Sequence, residues 1–141
     1  MKILLPVDGS ENSLRATRFA ITLAQLCTEP AEVHLLTVQP PVLSGEVKTF
    51  VSQSQINNYY HHEGSKTLAS ARELLDQAGV HYVVHIGVGQ VAETIAAYVR
   101  DQACDQVVMG TRGLGRVSSV LLGSVTTSLI PLIDVPLTLV K

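Results

Sequence analysis

Five short apolar runs divide the chain, and each of the first four is followed by a longer segment. The runs fall at 3–7, 32–38, 81–86, 105–109 and 136–140 and are rich in Val, Ile and Leu. Strands covered on both faces read this way. The intervening segments are long enough for the crossovers that parallel strands require. The predicted order is β-α-β-α-β-α-β-α-β: an α/β chain with a parallel sheet and helices on both of its faces. The spacing does not reveal the order of strands in the sheet.

Helical segments are expected at 10–27, 53–77, 90–101 and 124–130. In the first, Ala16, Phe19, Ala20, Leu23, Ala24 and Cys27 fall on one predicted stripe, behind a Ser10 cap. In the second, Leu68, Ala71, Leu75 and Ala78 do so, and Gly79 is a stop signal. Ile95 and Val99 point inward from the third. Ser124 is expected to cap the fourth and Pro131 to end it.

Composition narrows the function. The 141 residues suit one domain, residues 1–141, and 46% are hydrophobic. Charged residues are 16%, below the usual figure of about 25%, which suggests additional burial in a subunit interface. A net charge of −2 argues against a nucleic-acid partner. No apolar run approaches the ~20 residues of a membrane helix, so no membrane is expected. Cys27 and Cys104 lie outside any C-x-x-C pair and read as free thiols of a reducing, cytoplasmic compartment.

In a parallel sheet, ligands bind beyond the carboxyl ends of the strands, where strand order reverses. The loop after the fourth strand runs Gly110-Thr111-Arg112-Gly113-Leu114-Gly115-Arg116 and continues to Gly123-Ser124-Val125-Thr126. Residues 109–133 contain two arginines and no acid. Glycines allow close backbone approach, and exposed N–H groups can cradle an anion. The same composition also suits a surface loop with a serine cap. The loop after the first strand, Pro6-Val7-Asp8-Gly9-Ser10, places Asp8 at a strand-to-helix turn. There a carboxylate either meets a ligand or closes an Asx turn.

Other patterns fail on their mechanics. Gly87-Val88-Gly89-Gln90-Val91-Ala92 matches a dinucleotide fingerprint, but no acid ends the following strand. A tight turn is expected instead. No G-x-x-x-x-G-K followed by Ser or Thr occurs, which excludes a P-loop. His61 and His62 diverge on a helix, and His81 and His85 lie too far apart along a strand, so no histidine metal site is expected. Neither cysteine reads as a nucleophile, and Ser10 and Ser124 read as caps.

Gly110-x2-Gly113-x9-Gly123-Ser124, taken with Pro6-Val7-Asp8-Gly9-Ser10, resembles the ATP-binding branch of the universal stress protein family. The likeness extends over the whole chain, including the closing Val-Pro-Leu-Thr-Leu-Val. It implies a Rossmann-like fold of the adenine nucleotide alpha hydrolase type, with five parallel strands in the order 3-2-1-4-5. It also implies that Asp8 and Val38 meet the adenine, with Pro6 and Val7 lining that end. Met109 and Gly110 would flank the adenosine. Gly113, Gly123, Ser124, Val125 and Thr126 would hold the phosphates. Arg112 stands at a variable position, and its contact is inferred from its place in the loop. One departure is the stretch Pro131-Leu132-Ile133-Asp134, where the family's last helix usually runs on and carries a histidine.

The expected activity is that of an ATP-binding stress-response module without dedicated catalytic residues, with Mg²⁺ arriving on the nucleotide and its state passed to partner proteins. The alternative is an enzyme that hydrolyses ATP slowly in the same pocket. A homodimer is expected through the last strand, Pro136 to Val140, with the 40–55 loop as the rival cover for that edge.

Overall fold

The computed structural model describes residues 1–41, 51–114 and 122–141. The elements are β1 (Lys2–Pro6), α1 (Glu11–Leu26), β2 (Glu32–Gln39), α2 (Gln53–Gln77) and β3 (Tyr82–Val88). They continue with α3 (Val91–Gln102), β4 (Gln106–Gly110), α4 (Ser124–Leu129) and β5 (Leu137–Val140). The sheet order is β3-β2-β1-β4-β5, with every pair parallel. Resemblance anticipated this order.

Alternate residues of β1 serve opposite faces of the sheet. Ile3 and Leu5 pack with Val33, Leu35 and Val108 beneath Ala16 and Ala20 of α1 and Leu68 and Leu75 of α2. Leu4 packs with Leu36, Val107 and Met109 beneath Ala92, Ile95 and Val99 of α3 and Leu129 of α4. Each face is therefore a continuous apolar layer under two helices.

The inner face of α1 is small: Ser13, Ala16, Thr17 and Ala20 are its buried residues. Two buried hydroxyls are satisfied within the helix, Ser13 Oγ on the Ser10 carbonyl at 2.8 Å and Thr17 Oγ1 on the Ser13 carbonyl at 2.9 Å. Small residues bring the helix close to the sheet. A β-carbon at Gly110 would lie 2.9 Å from Asn12 Cβ and 3.0 Å from its carbonyl carbon. The buried face runs through Ser13, Ala16, Thr17 and Ala20, and Phe19 lies off it, 41% exposed, against the expectation that it joins the core stripe.

Three further differences have local causes. β3 is an edge strand, and Val83, Val84 and Val88 are exposed rather than covered. Gly123, not Ser124, is the N-cap of α4, and no side chain caps that helix. The Gly123 N–H is drawn back to the Thr111 carbonyl at 2.8 Å, which fixes the turn one residue earlier. Finally, α2 begins with a capping box in which Ser52 and Gln55 bond each other's backbone, a signal the sequence carried unread. The short last helix follows the sequence: after Leu129 the chain tightens into a 3₁₀ turn at Ile130–Leu132 around Pro131.

One buried histidine escaped sequence reading. His34 on β2 is 3% exposed, with Nε2 2.7 Å from Glu32 Oε1 and Nδ1 3.0 Å from the Tyr98 hydroxyl. A carboxylate only accepts, so Nε2 donates to Glu32, while Nδ1 pairs with the Tyr98 hydroxyl. His85 lies against the same tyrosine ring, centroids 5.0 Å apart. Among the described residues, no three His, Cys, Asp or Glu side chains form a metal-binding group. No helix among them is long and apolar enough to cross a membrane.

Candidate functional site

β1 pairs with β2 on one side and β4 on the other, so the sheet's switch point lies between β1 and β4. A cleft of about 750 Å³ opens there. That volume is in the range of small-molecule sites, roughly 300–1,000 Å³. Pro6, Val7 and Asp8 enter it from the end of β1, and Val38 from β2. Met109, Gly110, Arg112 and Gly113 enter from the end of β4. Gly123, Ser124, Val125 and Thr126 enter from the start of α4. All twelve candidate residues thus line one space.

Part of the lining is a single apolar cluster. Leu36 and Val38 face it from β2, Val91 and Ile95 from α3, and Met109 from β4. Leu36, Val91 and Ile95 were not singled out from sequence. Leu36 shares its strand face with Val38, two residues on, and that periodicity was the available signal. Val91 and Ile95 stand one helical turn apart and read as ordinary core. Ser13, Leu114, Leu122, Thr127 and Ser128 complete the wall and carried no distinguishing signal.

Glycine backbone, hydroxyls and the Asp8 carboxylate supply the polar part of the lining. Asp8 Oδ1 accepts the Ser10 N–H at 2.9 Å, an Asx turn made possible by Gly9 at φ +80°. Its second carboxylate oxygen lies where a side chain on Gly113 would stand. Asp8 therefore both closes the turn and borders the glycine loop. At Gly123, a β-carbon would come 3.3 Å from Arg112 Cα and 3.4 Å from the Thr111 carbonyl oxygen. The two ends of the loop are thus in near contact. Thr126 Oγ1 donates to the same carbonyl at 3.3 Å. The first N–H groups of a helix have no intrahelical acceptor, so the start of α4 offers donors to the cleft. Gly115 and Arg116 lie outside the described residues.

Gly87, near the end of β3, and Gly89, just beyond it, serve packing and the turn. A β-carbon on Gly87 would lie 2.8 Å from Thr94 Cγ2 of α3, and Gly89, at φ +148°, donates to the Gln39 carbonyl. This is the tight turn expected from sequence. Neither glycine lines the cleft.

Comparison with known proteins agrees with this architecture. The model of the "Universal stress protein family" matches residues 1–141. Universal stress protein MJ0531 of Methanocaldococcus jannaschii is 30% identical over 142 residues, covering 99% of this chain and 81% of the relative. The solved structure of MJ0577, from the same organism, superposes with a TM-score of 0.84 at 28% identity, covering 99% of this chain and 94% of the other. The universal stress protein of Archaeoglobus fulgidus, solved in complex with dAMP, has a TM-score of 0.68 at 22% identity and covers 100% and 98% of the two chains. On the match over its full length and the fold that accompanies it, the chain belongs to the universal stress protein family.

Proposed function

We propose that the cleft binds an adenine nucleotide, specifically ATP, and that the chain is a nucleotide-dependent stress-response module. The observation that carries this reading is that one cleft is lined both by apolar side chains and by a glycine-and-hydroxyl loop. A purine needs a flat apolar slot, and a phosphate chain needs backbone donors that can be approached closely. The dAMP held by the Archaeoglobus protein supports the same class of ligand.

Asp8 and Val38 meet the base, with Pro6 and Val7 beside them. Met109 and Gly110 flank the ribose. Gly113, Gly123, Ser124, Val125 and Thr126 take the phosphates, and Arg112 supplies charge. Asp8 is the one acid among the described residues that line the cleft. Mg²⁺ therefore travels on the phosphates and water, as this ion commonly does. General-base catalysis at a γ-phosphate needs a group within hydrogen-bond reach of the attacking water. The role assigned to Asp8 is at the base, so the reading includes no catalytic residue.

The module acts in the cytoplasm, in keeping with its free thiols Cys27 and Cys104. It self-associates through β5. That strand ends the sheet, carries no charge from Leu137 to Val140, and is half-buried throughout. Two copies pairing antiparallel about a two-fold axis close both edges.

The test is the nucleotide content of the purified protein after denaturation, together with calorimetric titration of ATP and a turnover assay. Bound adenine nucleotide, or ATP binding at millimolar levels or better, is expected, with no turnover above background. A protein that neither carries nor binds ATP overturns the reading, and robust turnover replaces it with the hydrolase.

A further inference from the structure

Thr111 is the residue at which β4 leaves the sheet, and its two backbone groups are engaged in different directions. Its N–H donates to the Val140 carbonyl at 2.9 Å, beyond the Gly110–Val140 pair that ends the β4–β5 register. Its carbonyl accepts the Gly123 N–H at 2.8 Å and the Thr126 hydroxyl at 3.3 Å. Thr111 and Thr126 are both buried. Breaking either set of bonds leaves a buried polar group without a partner, which is costly. A second link runs through side chains: Val125 of α4 belongs to the same apolar cluster as Leu137 and Leu139 of β5. The start of α4 and the last strand thus share one residue's backbone and one packed cluster.

We infer that occupancy of the cleft is transmitted through Thr111 to the end of β5, so that the edge of the sheet responds to bound nucleotide. The inference rests on the nucleotide reading above. Phosphates held at Gly123 to Thr126 need the neck of the loop closed, with Gly123 bonded to Thr111. Opening that neck releases the carbonyl of Thr111 and loosens the residue whose N–H holds Val140. A ligand that binds only the closed form suppresses opening by a factor of 1 + [L]/Kd. Fraying of β5 that accompanies neck opening falls by the same factor. A second copy of this chain pairing on β5 therefore meets a firmer edge when nucleotide is bound. By reciprocity, pairing there strengthens nucleotide binding by an equal factor.

Hydrogen exchange on the intact chain, with and without ATP, tests this. Occupancy is measured on the same sample by release of nucleotide on denaturation. At ATP concentrations about 100 times Kd, exchange at Thr111 and along residues 137–141 is expected to slow by up to about 100-fold. Amides of β3, at the far end of the sheet, should change by less than about twofold. Full occupancy with unchanged exchange at Thr111 and β5 overturns the inference and leaves the nucleotide reading standing. Absence of occupancy overturns both. A chain ending at Leu139 lacks the Val140 carbonyl, and when folded it should bind ATP several-fold more weakly. Full-strength binding by that folded variant would also overturn the inference.

Discussion

The Asp8 carboxylate occupies the space that a side chain on Gly113 would need. The first strand's turn and the glycine loop are therefore fitted to each other, although Asp8 and Gly113 stand 105 positions apart in sequence. The colliding atom is the end of a side chain, so it can move aside, but one of its oxygens is held by the Ser10 N–H.

Substituting Gly113 should thus cost binding more than stability. Gly113→Val is expected to weaken ATP by at least about tenfold, or 1.4 kcal/mol, with a thermal midpoint close to that of the parent. Gly110→Ala is the contrasting case, because its β-carbon would meet the Asn12 backbone, 3.0 Å from the carbonyl carbon. Backbone cannot step aside cheaply, and a loss of about 1–3 kcal/mol in stability is expected. Calorimetric titration and urea unfolding on both variants check the contrast. Equal loss of fold and binding at Gly113 would mean that its role is conformational.

Asp8→Ala should weaken adenosine and ATP alike, since the residue is assigned to the base. It also removes the acceptor of the Ser10 N–H at the start of α1, at a cost of about 1 kcal/mol. Asp8→Asn keeps an acceptor oxygen for Ser10 and should recover most of that stability. Undiminished adenosine affinity in Asp8→Ala would remove the carboxylate from the base end of the cleft.

Self-association is testable at Leu139. A lysine there places a charge on the half-buried edge strand at a residue that does not itself line the cleft. Sedimentation should find a dimer of the intact 15.1 kDa chain at micromolar concentration and a monomer or insoluble protein for Leu139→Lys. A monomeric parent chain would end the proposal.

Stability should fall in alkali. Burial, more than any neighbour, pushes the Cys104 thiol above its ordinary 9.0; Lys2 opposes the shift, while Asp105 and Glu32 reinforce it. Burial, then Cys104 and Glu32, pushes the Tyr98 phenol above 10.0. Both groups hold their protons more tightly folded than unfolded. Their contribution is complete below the unfolded values and is lost as pH climbs from there through the raised folded values. Urea midpoints should be flat with respect to these groups up to about pH 8.5 and decline beyond it. Cys104→Ala should flatten the first part of that decline.

What could be read from the chain followed from how local each signal is. Ile3-Leu4-Leu5 announces a strand buried on both faces, and Gln53–Gln77 was bounded correctly from its periodicity and Gly79. The pairing of β1 with β4 joins residues about 100 positions apart and leaves no local trace, so it came from resemblance. The cleft residues that were recognised sit in loops of odd composition, while Leu36, Val91 and Ile95 look like any core residue. Phe19 has helical spacing to Ala16 and Ala20, but the buried face of α1 includes the polar Ser13 and Thr17, so apolar periodicity alone misjudges its phase. The rival cover for β5, the 40–55 loop, falls largely on 42–50, outside the described residues.

The His34 ring, closed between Glu32 and Tyr98, has a spectroscopic consequence. Its Nε2 proton is hydrogen-bonded at 2.7 Å on a side chain almost removed from solvent. Such a proton leaves slowly, and a strong bond to a carboxylate moves its resonance far downfield of the amides. His34 therefore gives the sheet a native magnetic beacon between β2 and α3, one that reports their alignment without any label.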